Sequence, residues 1–182
     1  MKAASVTTPE RMEAIFEQQQ EACGKAPLPS LQQRRQQLTL LKNLLLEHKD
    51  ALAAAIDADF TARSADETML AEILPCVQNI NHTLLHLRDW MKPDKRSAGL
   101  HFVPASARVV SQPLGIVGII VPFNYPVNLA IVPLATALAA GNRAMIKMSE
   151  FTPETASLLR DILRKGFDED HIAVITGEAD IA

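Results

Sequence analysis

Apolar residues recur at helical spacing through the first 91 positions, then give way to short β-branched runs separated by turn signals. Thr8-Pro9-Glu10 marks a helix start, with a capping hydroxyl, a proline suited to the first turn and an acid near the positive helix end. Met12, Ile15 and Phe16 fall on one face of that helix, and Gly24 is placed to end it in a left-handed conformation. Ala26-Pro27 and Leu28-Pro29 predict an extended connector, because a residue before proline is pushed out of the helical region. Ser30 caps a second helix with Leu31, Leu38, Leu41 and Leu45 as its stripe; the pattern pauses at 48–50 and resumes with Leu52 and Ile56. Ser64-Ala65-Asp66-Glu67 has the spacing of a capping box. The next apolar run is Met69, Leu70, Ile73, Val77, Ile80, Leu84, Leu87 and Met91. Pro75 lies inside this run and predicts a kink, or a division of its first turns from the rest.

The charged stretch 92–99 ends the helical block. Phe102-Val103-Pro104 and Arg108-Val109-Val110 then read as the two short strands of a bent hairpin. Residues 116–121 are β-branched but for one glycine, which predicts a strand buried on both faces and central in a parallel sheet. An almost wholly apolar helix over 127–140 comes next, stopped by Gly141-Asn142, and a second strand covers 143–147. Thr152-Pro153-Glu154 starts another helix, buried through Ala156, Leu159, Ile162 and Leu163, before a third strand at 172–176. The expected class is therefore α/β: an N-terminal helical block and a short β-hairpin leading into the first strands of a Rossmann-like parallel sheet. The expected boundaries are 1–98 for the helices, 99–114 for the hairpin and connector, and 115–182 for the α/β part. In such a sheet, ligands bind at the carboxyl ends of the strands.

Composition removes several alternatives. The chain is 48% hydrophobic and 21% charged, as in ordinary folded domains rather than disordered chains. With 18 basic and 21 acidic residues the net charge is -3, so no nucleic-acid footprint is expected. The densest basic cluster, Lys92, Lys95 and Arg96, encloses Asp94 and reads as a solvated loop. Two cysteines, Cys23 and Cys76, lie far apart on helical segments, which argues against a disulfide framework and for a reducing cytoplasm. The first residues lack the apolar core of a signal peptide, and the longest apolar stretch, 127–141, is too short for a bilayer.

Chemistry concentrates after the parallel strands. Pro122-Phe123-Asn124-Tyr125-Pro126 joins a strand to a buried helix, and its two prolines restrict the turn and so the direction of Asn124. A carboxamide held there can donate to an oxygen that gains negative charge, as an oxyanion donor does. Taken alone, its plainer use is to satisfy the turn's own backbone. Lys147 and Glu150 come after the next strand, where ammonium and carboxylate reach ribose hydroxyls and the carboxylate disfavours a 2′-phosphate; their plainer use is a surface ion pair. No GxGxxG occurs. His82 and His86 share a helix face, but a third ligand in phase and an intervening general-base Glu are both missing, so no metal site is expected. Cys23 has no histidine near it in sequence and reads as a small buried hydrophobe.

Together these motifs carry a resemblance. Residues 113–150 look like the core of the aldehyde dehydrogenase family, in which a strand ends in a Pro-aromatic-Asn-aromatic-Pro turn. An apolar helix, a Gly-Asn cap and a Lys-x-Ser-Glu tip then follow, here Gly141-Asn142 and Lys147-Met148-Ser149-Glu150. The N-terminal helices, Gln112-Pro113-Leu114-Gly115 and Thr176-Gly177-Glu178-Ala179 also fit, and the nearest branch is that of the coniferyl and related aromatic- or fatty-aldehyde enzymes.

The resemblance implies an oxidoreductase that converts a small-molecule aldehyde to the acid with NAD, or with NADP. A cysteine thiolate adds to the carbonyl, hydride passes to the nicotinamide, and a glutamate-activated water releases the product. It further implies Asn124 as oxyanion donor, Lys147 and Glu150 as contacts to the adenosine ribose, and Phe123 as a cofactor-side aromatic where the family usually has Trp. Met148 replaces a frequent proline. The family's Gly-rich nicotinamide turn, general-base Glu, nucleophilic Cys and oligomerisation strand have no counterpart in 1–182. The expectation is an incomplete aldehyde dehydrogenase fold, inactive as an isolated chain, from a parent that forms homo-oligomers. A non-catalytic nucleotide-binding or assembly module on the same fold is the alternative.

Overall fold

The computed structural model describes residues 6–25, 28–178 and 181. Ala26-Pro27 of the connector and Ala179 of the 176–179 motif lie outside them. Helix α1 (Pro9–Lys25) begins as its sequence requires, with Thr8 Oγ1 accepting from the Arg11 N–H at 3.2 Å. Gly24 does not end it: glycine permits a left-handed turn without imposing one, and the helix continues to Lys25. Helix α2 (Leu31–Glu47) opens on a full capping box, in which Gln33 N–H donates to Ser30 Oγ and Ser30 N–H donates to Gln33 Oε1. The pause at 48–50 is a break at His48, after which α3 (Lys49–Phe60) resumes the buried face.

The next run departs from its expected phase. Ser64 Oγ accepts from Asp66 N–H rather than from Glu67, whose carboxylate faces Arg63 instead, so the start of α4 (Ala65–Thr68) is a single cap and not a reciprocal box. A π-helical turn, Met69–Ile73, then leads into α5 (Leu74–Trp90), with Pro75 in its first turn. Pro75 does divide the run. The wide turn shifts the helical phase, so Leu70 is 67% exposed while Glu72 is fully buried.

The hairpin pairs β1 (Asp94–Arg96) antiparallel with β2 (Ala107–Val109). Its first arm is thus the cluster expected to be loop, whereas Leu100–Phe102 forms a 3₁₀ turn and Val103-Pro104 continues the reversal. Phe102-Val103-Pro104 has strand-forming side chains, but Pro104 has no N–H to give a ladder, and the pairing goes to the chain on either side.

Three parallel strands, β3 (Ile116–Ile120), β4 (Arg143–Lys147) and β5 (Ile172–Ile175), stand in the order β3-β4-β5. Helix α6 (Pro126–Ala140) crosses from β3 to β4 and α7 (Pro153–Leu163) from β4 to β5. Alternation divides the sheet. Ile119, Ala144, Ile146, Ile172 and Val174 face the main core with α2, α3, α5, α6 and α7, whereas Met145, Ala173 and Ile175 meet Ile15 of α1.

Among the described residues β4 stands between β3 and β5. Among the described residues β3 pairs only with β4, and Ile120 on its α1 side is 72% exposed. A β-branched run specifies a strand but not how many of its faces are covered.

Helix α6 ends as expected on Gly141, at φ 87°. Arg34 closes that end by donating to the carbonyls of Ala139 and Pro29, both at 2.9 Å. A Cβ on Gly141 would come within 2.8 Å of the Arg34 guanidinium, so the glycine supplies both the left-handed angle and the space. The start of α7 is capped from outside its own segment: both Asp59 oxygens accept from it, at 3.0 Å from Glu154 N and 2.9 Å from Thr155 N. Thr155 Oγ1 also donates to Asp59, at 2.7 Å.

Candidate active site

The Pro122–Pro126 loop begins where β3 stops. Val121 N–H still donates to Lys147 O at 2.9 Å, and the chain then turns into α6 with Pro126 at the first helical position. Asn124 is exposed, and among the described residues no hydrogen bond engages its carboxamide. Its main-chain carbonyl is held: Arg63 Nη1 donates to it at 2.8 Å. The plainer expectation, a side chain absorbed by the turn's own backbone, is not what the geometry shows.

Beneath the turn lies a group that sequence reasoning missed. Glu72 Oε2 accepts from Val127 N–H at 2.6 Å and from Asn128 N–H at 3.1 Å, the free donors of the first turn of α6. Arg63 Nη1 approaches its other oxygen at 3.4 Å. Burial pushes the Glu72 carboxyl above its ordinary range, against the opposing pull of the two backbone donors and Arg63. Pro75 was the available signal. It has no N–H for the Ala71 carbonyl four residues back, and Asn128 Nδ2 donates to that carbonyl at 2.9 Å. The proline thus marks the place where α5 opens toward α6.

At the end of β4, Lys147 is only 8% exposed and donates to the Met148 carbonyl at 2.9 Å. It lines a largely apolar groove of about 560 Å³ between α1 and the sheet, together with Phe16, Gly118, Ile120 and Met145. Glu150 lines a separate hollow of about 170 Å³ with Pro153, Thr176 and Gly177. Among the described residues no hydrogen bond or ion pair links Asn124, Lys147 and Glu150, so the simple Lys147–Glu150 surface pair is not formed. The two loops meet through Phe123, whose ring contacts Phe151 edge to face at 5.9 Å between centroids.

Of the two sulfurs, Cys76 is buried and Cys23, on α1, half-buried. Burial, and then the charge of Glu72, push the Cys76 thiol up to about 12, and Cys76 Sγ donates weakly to Asn128 Oδ1 at 3.9 Å. Iodoacetamide at pH 8 is expected to modify Cys23 and spare Cys76 until denaturant is added, read by intact mass. Equal labelling of both in the folded chain would show that the Cys76 pocket opens. His86 stacks on Trp90 along α5 and His82 is tilted against it, the two imidazole centroids 4.3 Å apart, and no group of three metal-ligating side chains occurs among the described residues. Nor, among those residues, is any helix long and apolar enough to cross a membrane.

This arrangement is similar to known proteins along its whole length. A probable coniferyl aldehyde dehydrogenase of Pseudomonas aeruginosa is 54% identical over 171 residues, which cover 94% of this chain and 36% of the relative. The coniferyl aldehyde dehydrogenase of Pseudomonas sp. (strain HR199) is 44% identical over 138 residues, 76% of this chain and 28% of that protein. The chain thus spans about a third of the length of these relatives. Among solved structures, the substrate-bound state of Staphylococcus aureus AldH superposes with a TM-score of 0.89 at 29% identity, over 93% of this chain and 37% of that one. An NAD+ complex of a Bacillus cereus aldehyde dehydrogenase shares the fold, with a TM-score of 0.84 at 19% identity, over 96% and 35% of the two chains. The model of the aldehyde dehydrogenase family matches residues 1–182, and this chain is a member of that family.

Proposed function

We infer that these residues are the amino-terminal part of a nicotinamide-dependent dehydrogenase that oxidises an aldehyde of coniferyl or related aromatic type to the acid. The observation that carries this reading is the Asn124 turn: an uncommitted carboxamide on a backbone anchored from below. In that role Asn124 Nδ2 donates to the substrate carbonyl oxygen as negative charge gathers on it. The names of the two Pseudomonas relatives support the substrate class.

The chain's residues suit one half of a dinucleotide site, with NAD favoured over NADP. Lys147 offers an ammonium at the wall of an open groove, Gly118 leaves that wall without a side chain, and Glu150 offers a carboxylate nearby in sequence. Phe123 stands with Phe151 at the mouth of the same loops. The bound nicotinamide would supply the hydride acceptor. Residues 115–182 are then the cofactor-binding portion, after the helices that end at Trp90 and a hairpin and connector whose first arm, β1, opens at Asp94 rather than at 99. The whole protein works as a cytoplasmic homo-oligomer.

Two measurements test the reading. NADH formation with coniferaldehyde, followed at 340 nm, is expected from the complete enzyme and absent from the isolated 182 residues, in which burial pushes the Cys76 thiol up to about 12. Turnover by the isolated chain, or a complete protein inert toward every aldehyde offered, would sink it.

A further inference from the structure

We propose that Arg63 and Glu72 are positioning residues for Asn124, forming a buried clamp that sets the Pro122–Pro126 turn from underneath. The inference rests on the oxyanion reading for its catalytic consequence and on geometry alone for the clamp.

Four contacts define the clamp. Glu72 accepts from the Val127 and Asn128 N–H groups, which fixes where α6 begins. Arg63 donates to the Asn124 carbonyl, which fixes the residue that carries the carboxamide. The same Arg63 nitrogen lies 3.4 Å from Glu72, so both ends of the turn are referred to one ion pair. The guanidinium is sandwiched in place, 4.1 Å from the Phe60 ring centroid and 5.0 Å from that of Tyr125, itself a residue of the turn. Arg63 donates through a planar fork, and Glu72 has no exposure to water, so the carboxylate has no competing solvent partner.

Such investment is more than a helix cap needs. An ordinary α6 N-terminus would be satisfied by a Ser or Asp one residue before it. Here that position is Tyr125, and the cap comes instead from a π-helical turn about fifty residues earlier, a distortion that puts an acid inside the core. The main-chain carbonyl of Asn124 receives the second half of the clamp while, among the described residues, its carboxamide is engaged by no hydrogen bond. Asn128 completes the link by tying α6 back to Ala71.

The test combines a structural and a kinetic readout. Arg63→Ala and Glu72→Gln are expected to speed amide exchange at Val127 and Asn128 by about tenfold or more, with α7 and β5 unchanged. In the complete enzyme Arg63→Ala should lower kcat by about 10- to 100-fold, the scale of a roughly 1 Å misplacement, with KM for NAD little altered. Arg63→Lys keeps one donor and should fall between. The decisive arm is the double variant. If Arg63 acts through Asn124, its removal in an Asn124→Ala background costs almost nothing further in kcat. Equal losses in both backgrounds would make Arg63 a stability residue only and overturn the proposal, as would unchanged exchange at Val127 and Asn128. A kcat untouched by Asn124→Ala itself refutes the oxyanion assignment instead, and the exchange result then decides the clamp on its own.

Discussion

In the complete enzyme, Asn124→Ala is expected to lower kcat by about 10²- to 10³-fold, equivalent to about 2.7 to 4 kcal/mol of transition-state stabilisation, while KM for NAD changes little. The size depends on when the bond is made. A donor already spent on the protein would have to break a bond to reach the substrate, and its removal would cost little. Asn124's carboxamide is engaged by no hydrogen bond among the described residues, while its backbone is fixed by flanking prolines and by Arg63. In the proposed role the donor is held before substrate arrives, and its bond would strengthen as charge grows on the carbonyl oxygen. Steady-state rates with coniferaldehyde measure it. A kcat within about twofold of the parent would remove Asn124 from the mechanism.

The second large effect is on stability. Leu134→Ala in the middle of α6 is expected to destabilise the fold by about 2 to 5 kcal/mol, the range for deleting a fully buried leucine with partial collapse of the cavity. Leu134 has no exposed surface and belongs to the core that joins α2, α5 and α7 to the sheet. Against a net stability of about 5 to 15 kcal/mol, that is a large fraction. Urea unfolding of the variant should show a lower midpoint at an unchanged slope. A shift worth less than about 1 kcal/mol would mean that the core around α6 repacks around the missing volume. Because α6 starts at the Asn124 turn, the same variant ties core packing to the site.

Local sequence carried much of this architecture because many of its signals act within a turn or two. Thr8, Ser30 and Gly141 end helices through bonds or angles available to their own neighbours, and each was placed correctly. Gly24 and the Ser64 box were not, since a permissive residue or a four-residue spacing does not compel its geometry. Phe102-Val103-Pro104 had strand-like side chains but no partner that a local reading could check. Of the proposed site, Asn124, Lys147, Glu150 and Phe123 are legible in the sequence because each lies at or just past a strand end or fills a motif. Glu72 is not, being an acid in an apolar helical run that ordinary periodicity places at the surface.

What the sequence determined by itself was the order of helices and strands, the parallel α/β class, and the turn that carries Asn124, because these depend on hydrophobic period, prolines and caps close in the chain. Tertiary structure alone decided the order of the three described strands, that Asp59 caps α7, and that Arg63 and Glu72 meet beneath Asn124. The physical reason is range. Burying an acid requires donors to meet it, and those donors, the N–H groups of Val127 and Asn128, reach Glu72 only when α5 and α6 pack together.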